Sequence, residues 1–147
     1  MNREKVEIVL IEDNPADVEL TLTALKEKNL ANNVKVITDG EEALDYLFNV
    51  CAPSGGPGCP FLILLDLKLP KVNGLEILEK IRSDERTKMI PVVVLTTSEA
   101  EKDVAKAYYN HANSYLVKPV GFEDFKQLMD DLGFYWLGWN VNPHVPD

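Results

Sequence analysis

The sequence predicts an α/β domain built on a doubly wound, five-stranded parallel sheet in the order 2-1-3-4-5, and three observations carry that expectation. Phe61-Leu62-Ile63-Leu64-Leu65 is an unbroken apolar run that stops at Asp66, with Pro60 before it and Pro70 after. Such a run reads as a central parallel strand buried on both faces. Apolar runs of similar length recur at 6–11, 34–37, 92–95 and 114–117, with helical patterns between them. That alternation implies a parallel sheet covered on both sides, and right-handed crossovers leave the five-strand doubly wound order as the natural topology. Finally, the strands end in polar groups: Glu12-Asp13, Asp66, Thr96-Thr97-Ser98 and Lys118. Open α/β sheets keep their ligand sites at the carboxyl ends of the strands.

The elements follow in order. After the first strand, Asn14-Pro15 reads as an N-cap followed by a first-turn proline. The helix it opens places Val18, Leu22 and Leu25 on one face. Val34-Lys35-Val36-Ile37 is a short second strand, and Asp39 then caps a helix that carries Glu42 at its third position and buries Ala43, Leu44 and Leu47. The Pro- and Gly-rich stretch 50–60 is a surface loop leading to the third strand. Asn73 caps the next helix, with Glu76 three residues on and Leu75, Leu78 and Ile81 as its apolar stripe. Ser98-Glu99-Ala100-Glu101 is a capping box after the fourth strand, and a last helix from about Phe122 carries Phe125, Leu128, Met129 and Leu132. No internal repeat and no interdomain linker is visible.

At 147 residues the chain holds one core. No apolar stretch is long enough to cross a bilayer, and the N-terminus lacks the apolar segment of a signal peptide, so a cytoplasmic protein is the expectation. The formal charge of −9 argues against nucleic acid as a partner and suits proteins or a divalent cation. Most of that charge is accounted for by solvated helix faces. Cys51 and Cys59 flank the 52–58 loop; an oxidising compartment could close a disulfide there, but free thiols are expected of a cytoplasmic chain.

In the predicted strand order the first and third strands are neighbours, so Glu12, Asp13 and Asp66 meet. Clustered carboxylates repel and call for a cation, and hard oxygen donors with room for water favour Mg²⁺ or Mn²⁺ over zinc. A carboxylate beside such an ion is a candidate nucleophile for phosphoryl transfer. Lys118 can place a point charge on a phosphoryl oxygen, and Thr96 a hydroxyl donor. Taken singly, an acidic pair after a strand is often a helix-capping turn, and Thr96 or Lys118-Pro119 alone says little. All four strand ends together point to one site.

Over about residues 5–133 the chain resembles the response-regulator receiver domain of two-component signalling, a CheY-like fold. The resemblance is carried by Ile11-Glu12-Asp13-Asn14-Pro15, Asp39-Gly40-Glu41-Glu42-Ala43-Leu44, Leu65-Asp66-Leu67-Lys68-Leu69-Pro70 with Asn73-Gly74, Leu95-Thr96-Thr97-Ser98, and Tyr115-Leu116-Val117-Lys118-Pro119. It implies that Asp66 accepts phosphate from a histidine kinase. Glu12, Asp13, Asp66 and the backbone carbonyl of Lys68 would hold the metal. Thr96 and Tyr115 would form a switch pair, Lys118 would bind phosphate, the bond to Pro119 would be cis, and Pro70 and Gly74 would shape the loop. The chain departs from fast-dephosphorylating members at Lys68 and Ser98, which predicts a long-lived phosphate. A phosphatase of the haloacid-dehalogenase type would need a second aspartate where Lys68 stands. A degenerate receiver acting as a constitutive interaction module is the serious rival, and it predicts loss of a site residue.

The segment 134–147 is an extension carrying Phe134, Tyr135, Trp136 and Trp139. These rings either fold back onto the domain or form a homodimer contact. Together with the 50–60 loop, the tail resembles the small single-domain regulators paired with phytochrome-type histidine kinases. On that reading no output domain follows, and the signal passes by protein contact. His111 and His144 are expected to be surface residues.

Overall fold

The computed structural model describes residues 8–28, 33–51, 59–67, 69, 72–96, 112 and 114–117. They form β1 (Ile8–Ile11), α1 (Pro15–Lys28), β2 (Val34–Ile37), α2 (Gly40–Val50), β3 (Leu62–Asp66), α3 (Gly74–Ser83), β4 (Val92–Thr96) and β5 (Ser114–Val117). All strand pairs are parallel and the order is β2-β1-β3-β4-β5, as the sequence predicts. The expected helices after β4 and β5, the 134–147 extension, the Pro119 bond, His111 and His144 lie outside the described residues.

The period of the strands splits the core in two. Val9 and Ile11, Ile63 and Leu65, and Val92 and Val94 face one side with Ala43, Leu47, Ile77, Leu78 and Ile81. Ile8 and Leu10, Leu62 and Leu64, and Val93 and Leu95 face the other side with Leu25. Register keeps like with like: Ile8 pairs with Leu62, Leu10 with Leu64, and Leu64 with Val93. Each of these strand side chains is nearly or wholly buried, and burial of one such residue is worth roughly 1.5–3 kcal/mol. A one-residue slip of any central strand would exchange its contacts with α2 and α3 for contacts with α1.

Three of the predicted caps, Asn14, Asp39 and Asn73, are present, and the Ser98 capping box lies outside the described residues. The Asp39 carboxylate accepts from the backbone N–H groups of Glu41 and Glu42, and the Asn73 side chain accepts from Glu76. Asn14 does the same for Ala16 and Asp17 at 2.9 and 3.1 Å. Two helix faces differ from expectation. In α3 the buried stripe is Gly74, Ile77, Leu78 and Ile81, while Leu75 is only partly buried. In α1 the buried residues among those described are Thr21 and Leu25, with Val18 and Leu22 half-covered. The wider arc of α3 follows from its close seating on the sheet. A Cβ on Gly74 would stand 2.5 Å from the Asp66 carbonyl oxygen and 2.6 Å from the Leu67 Cα.

The cysteines also overturn an expectation. Cys51 and Cys59 form a disulfide, with Cα atoms 4.6 Å apart. The free-thiol reading rested on compartment, but the fold brings the end of α2 beside the entry to β3, which puts the two residues within bridging reach.

The amino end of the sheet is held by arginine side chains. Arg82 Nη1 donates to the carbonyls of Lys88 and Ile90 at 3.0 and 2.7 Å, pinning the turn between α3 and β4. Arg86 Nη1 donates to the Phe48 carbonyl at 3.0 Å, its guanidinium lies 4.5 Å from the Phe48 ring centroid, and it pairs with Asp84 at 2.7 Å. The buried Thr87 hydroxyl donates to the Ile81 carbonyl at 2.7 Å.

Candidate functional site

The carboxyl end of the sheet is where the two apolar faces give way to charge. β1 and β3 run in register, so extending the pairing past Leu10–Leu64 by one two-residue step places Glu12 opposite Asp66. The ladder continues beyond both strands: Glu12 N–H donates to the Ile37 carbonyl and Leu67 N–H to that of Leu95, each at 3.0 Å. Glu12 and Asp66 are therefore carried on rigid backbone at the centre of the sheet, not on free loops. Glu12 is fully buried and Asp66 is 3% exposed, while Asp13 reaches solvent. One carboxylate oxygen from each of the three lies within 4.8 Å of the others.

Two buried carboxylates and a third at the rim repel one another in a region poor in water, where the interaction is far stronger than in bulk solvent. Part of the Glu12 charge is met by the Asn14 N–H, which donates to Oε2 at 3.2 Å. The rest of the arrangement fits a hard divalent cation, since three carboxylate oxygens at one point, open to solvent on the Asp13 side, supply part of an octahedral shell and leave room for water. The Gly74 contact acts on the same point from below. Gly74 N–H donates to the Leu67 carbonyl at 2.8 Å, fixing the turn directly after Asp66 against the start of α3.

The other expected site residues are only partly within view. Thr96 ends β4, one residue past the Asp66–Leu95 pair, and Tyr115 stands on β5 opposite Val94. The backbone thus sets Thr96 at the carboxyl edge, one strand over from Asp66. The side chains of Thr96 and Tyr115, and all of Lys68 and Lys118, lie outside the described residues. Gly74 contributes more than the loop shape expected of it: it packs against the Asp66 backbone itself. The Asn-Gly pair at the start of an apolar helix was the available signal.

A doubly wound sheet with an acidic triad at its switch point defines a class of phosphoacceptor domain, and comparison with known proteins places the chain in it. Residues 8–130 match the response regulator receiver domain family, and the chain belongs to that family. It is thus a two-component response regulator receiver domain. Among curated relatives, it is 46% identical over 136 residues to the probable methanogenesis regulatory protein FilR2 of Methanothrix harundinacea, covering 92% of this chain and 86% of that protein. It is 38% identical to the response regulator Rcp1 of Synechocystis, covering 88% of each. Among solved structures, the bacteriophytochrome response regulator RtBRR superposes with a TM-score of 0.74 at 48% identity, over 88% of this chain and 78% of that one. The Mn²⁺-bound form of Rcp1 superposes with a TM-score of 0.71 at 37% identity, over 90% and 94%. The family is phosphorylated on aspartate and binds Mg²⁺ or Mn²⁺ at an acidic site.

Proposed function

We propose that Asp66 is the phosphoacceptor of this response regulator, and that Glu12, Asp13, Asp66 and the backbone carbonyl of Lys68 hold the divalent cation it requires. The observation that carries this reading is the convergence of three carboxylate oxygens within 4.8 Å at the carboxyl end of β1 and β3. An Asp66 carboxylate oxygen attacks the phosphorus of a phosphohistidine on the kinase; the P–N bond breaks and the imidazole leaves with the electron pair. A bound Mg²⁺ supplies charge neutralisation between the incoming phosphoryl oxygens and the carboxylates. The chain's own part is positional. Burial of Glu12 and Asp66 on the two central strands fixes the direction of attack, and the Gly74–Leu67 hydrogen bond holds the turn that follows. Lys118 and Thr96 contact phosphoryl oxygens, and Tyr115 follows Thr96 inward, so that phosphorylation biases a two-state β4–β5 face.

The reading extends to partners. The donor is a histidine kinase, and the similarity to the bacteriophytochrome response regulator RtBRR favours one of the phytochrome type. The receiver spans 5–133, the protein acts in the cytoplasm by protein contact, and the 134–147 aromatics either fold back onto the domain or serve a homodimer. Its chemistry on itself is limited to phosphorylation from a phosphodonor and slow loss of phosphate. Acetyl phosphate with Mg²⁺ tests the assignment: a base-labile label is expected on the unsubstituted chain, none on Asp66→Asn, and none with EDTA. Absence of label on the unsubstituted chain would instead make it a constitutive interaction module. Phosphate loss from Lys68→Asn is expected to be faster than from the unsubstituted chain, because a lysine beside the phosphoryl group neither activates nor orients water.

A further inference from the structure

The cysteine pair lies outside everything the phosphoacceptor site uses. It sits at the opposite, amino end of the sheet, where Cys51 closes α2 and Cys59 precedes the Pro60 that leads into β3. Its two sulfurs are not equivalent. Cys51 is 3% exposed and packed in the larger core, whereas Cys59 is only partly buried at its edge. Of the two residues, Cys59 is therefore the more open to an incoming thiolate.

The surroundings also suit both oxidation states. Cys59 Sγ lies 3.5 Å from the Arg86 carbonyl oxygen, at hydrogen-bonding distance for a thiol. A disulfide sulfur has no proton to donate, so Cys59 can use that contact as a hydrogen bond only when it is reduced. The α2 side of the pair is held without the S–S bond. Arg86 donates to the Phe48 carbonyl and stacks on the Phe48 ring in the last turns of α2, and Cys51 N–H donates to the Leu47 carbonyl. The S–S bond thus joins the partly buried Cys59, across a sequence separation of 8, to a helix end that is already anchored.

We infer that Cys51–Cys59 is a reversible thiol-exchange site, with Cys59 as the sulfur that low-molecular-weight thiols such as glutathione attack and Cys51 as the resolving thiol. In the forward direction a glutathione thiolate attacks Cys59 Sγ, forming a mixed disulfide and expelling Cys51 as a thiolate, which takes a proton from solvent. A second glutathione thiolate attacks the glutathione sulfur of that mixed disulfide, releasing the Cys59 thiolate and oxidised glutathione. Two thiols are oxidised and one protein disulfide is reduced. Oxidised glutathione drives the reverse, in which Cys51 resolves the Cys59 adduct.

The test uses the full chain in buffers of defined reduced-to-oxidised glutathione ratio, quenched with N-ethylmaleimide and read by intact mass. Two maleimide adducts are expected to appear as the ratio rises and to disappear along the same curve as it falls, with an unchanged far-ultraviolet circular dichroism spectrum. In the single variants, Cys51→Ala is expected to accumulate a glutathione adduct on Cys59. Cys59→Ala should leave a Cys51 thiol that reacts with maleimide roughly tenfold or more slowly, as buried apolar thiols do. Resistance of the folded chain to excess reduced glutathione would overturn the inference, as would loss of the spectrum on reduction. Failure of oxidised glutathione to restore the bond, or equal labelling of the two lone cysteines, would overturn it as well.

Discussion

The two ends of the parallel sheet solve opposite electrostatic problems. At the amino end, charge is matched: Arg86 meets Asp84 and the Phe48 carbonyl, and Arg82 meets two carbonyls of the turn before β4. At the carboxyl end, like charges are gathered: Glu12, Asp13 and Asp66 converge on one point, two of them buried. Where pairing is complete the polar groups stabilise the fold. Where like charges are gathered they cost stability, and a divalent cation binding among them would lower that cost. Groups that cost stability in this way concentrate at functional sites.

That contrast can be broken from either end. The largest effect is expected at Gly74, where a methyl group would collide with backbone of the phosphoacceptor turn at 2.5 Å. Gly74→Ala should destabilise by about 2–3 kcal/mol, as overpacking against an unyielding neighbour does, and should slow acetyl-phosphate labelling as well. Urea unfolding and the labelling rate check the two parts; a variant with normal stability would mean that α3 is seated less tightly than described. Asp13→Asn is expected to act with opposite signs in two conditions. In EDTA, removing one repelling charge should stabilise the domain by about 1 kcal/mol, because the exposed Asp13 interacts with the other two through solvent. In Mn²⁺ the same variant should bind the ion roughly tenfold more weakly, losing about 1.4 kcal/mol of binding, as read by calorimetric titration.

The smallest effect belongs to the amino end and has the reverse sign. Hydrogen bonds from Arg86, side chain first and then backbone, hold the Asp84 carboxyl down at about 2, below its ordinary 3.8. A carboxylate whose pKa is depressed by folding contributes stability that is full above its unfolded value and is lost as pH falls through the folded one. Asp84→Asn should therefore be less stable than the unsubstituted chain at pH 6, with the difference closing between about pH 4 and pH 2. Acid titration of the two proteins by circular dichroism checks it. A gap independent of pH would assign the loss to packing. Neutralising an acid would thus stabilise one end of the sheet and destabilise the other.

Much of this was legible from local pattern. The strand runs, the caps at Asp39 and Asn73, and the acids ending β1 and β3 are properties of short windows, where side-chain period and capping chemistry operate. Strand order followed because right-handed crossovers leave few topologies for alternating strands and helices. What local pattern missed were contacts between segments distant in sequence. Leu75 fits an apolar stripe as well as Ile77 does, and only the approach of α3 to the Asp66 turn decides that Ile77 is the one buried. Thr21 takes a buried place on α1 that a hydrophobicity pattern assigns to Leu22.

The sequence by itself determined the fold class, the strand order and the gathering of Glu12, Asp13 and Asp66, because a two-residue period and a fixed crossover hand leave parallel strands little choice of neighbour. Only the tertiary structure decided that Glu12 and Asp66 are buried there while Asp13 reaches solvent, that Gly74 packs against the Asp66 turn, and that Cys51 meets Cys59. Those outcomes depend on how closely helix ends approach the sheet, a distance set by packing over the whole core and written in no single stretch of chain.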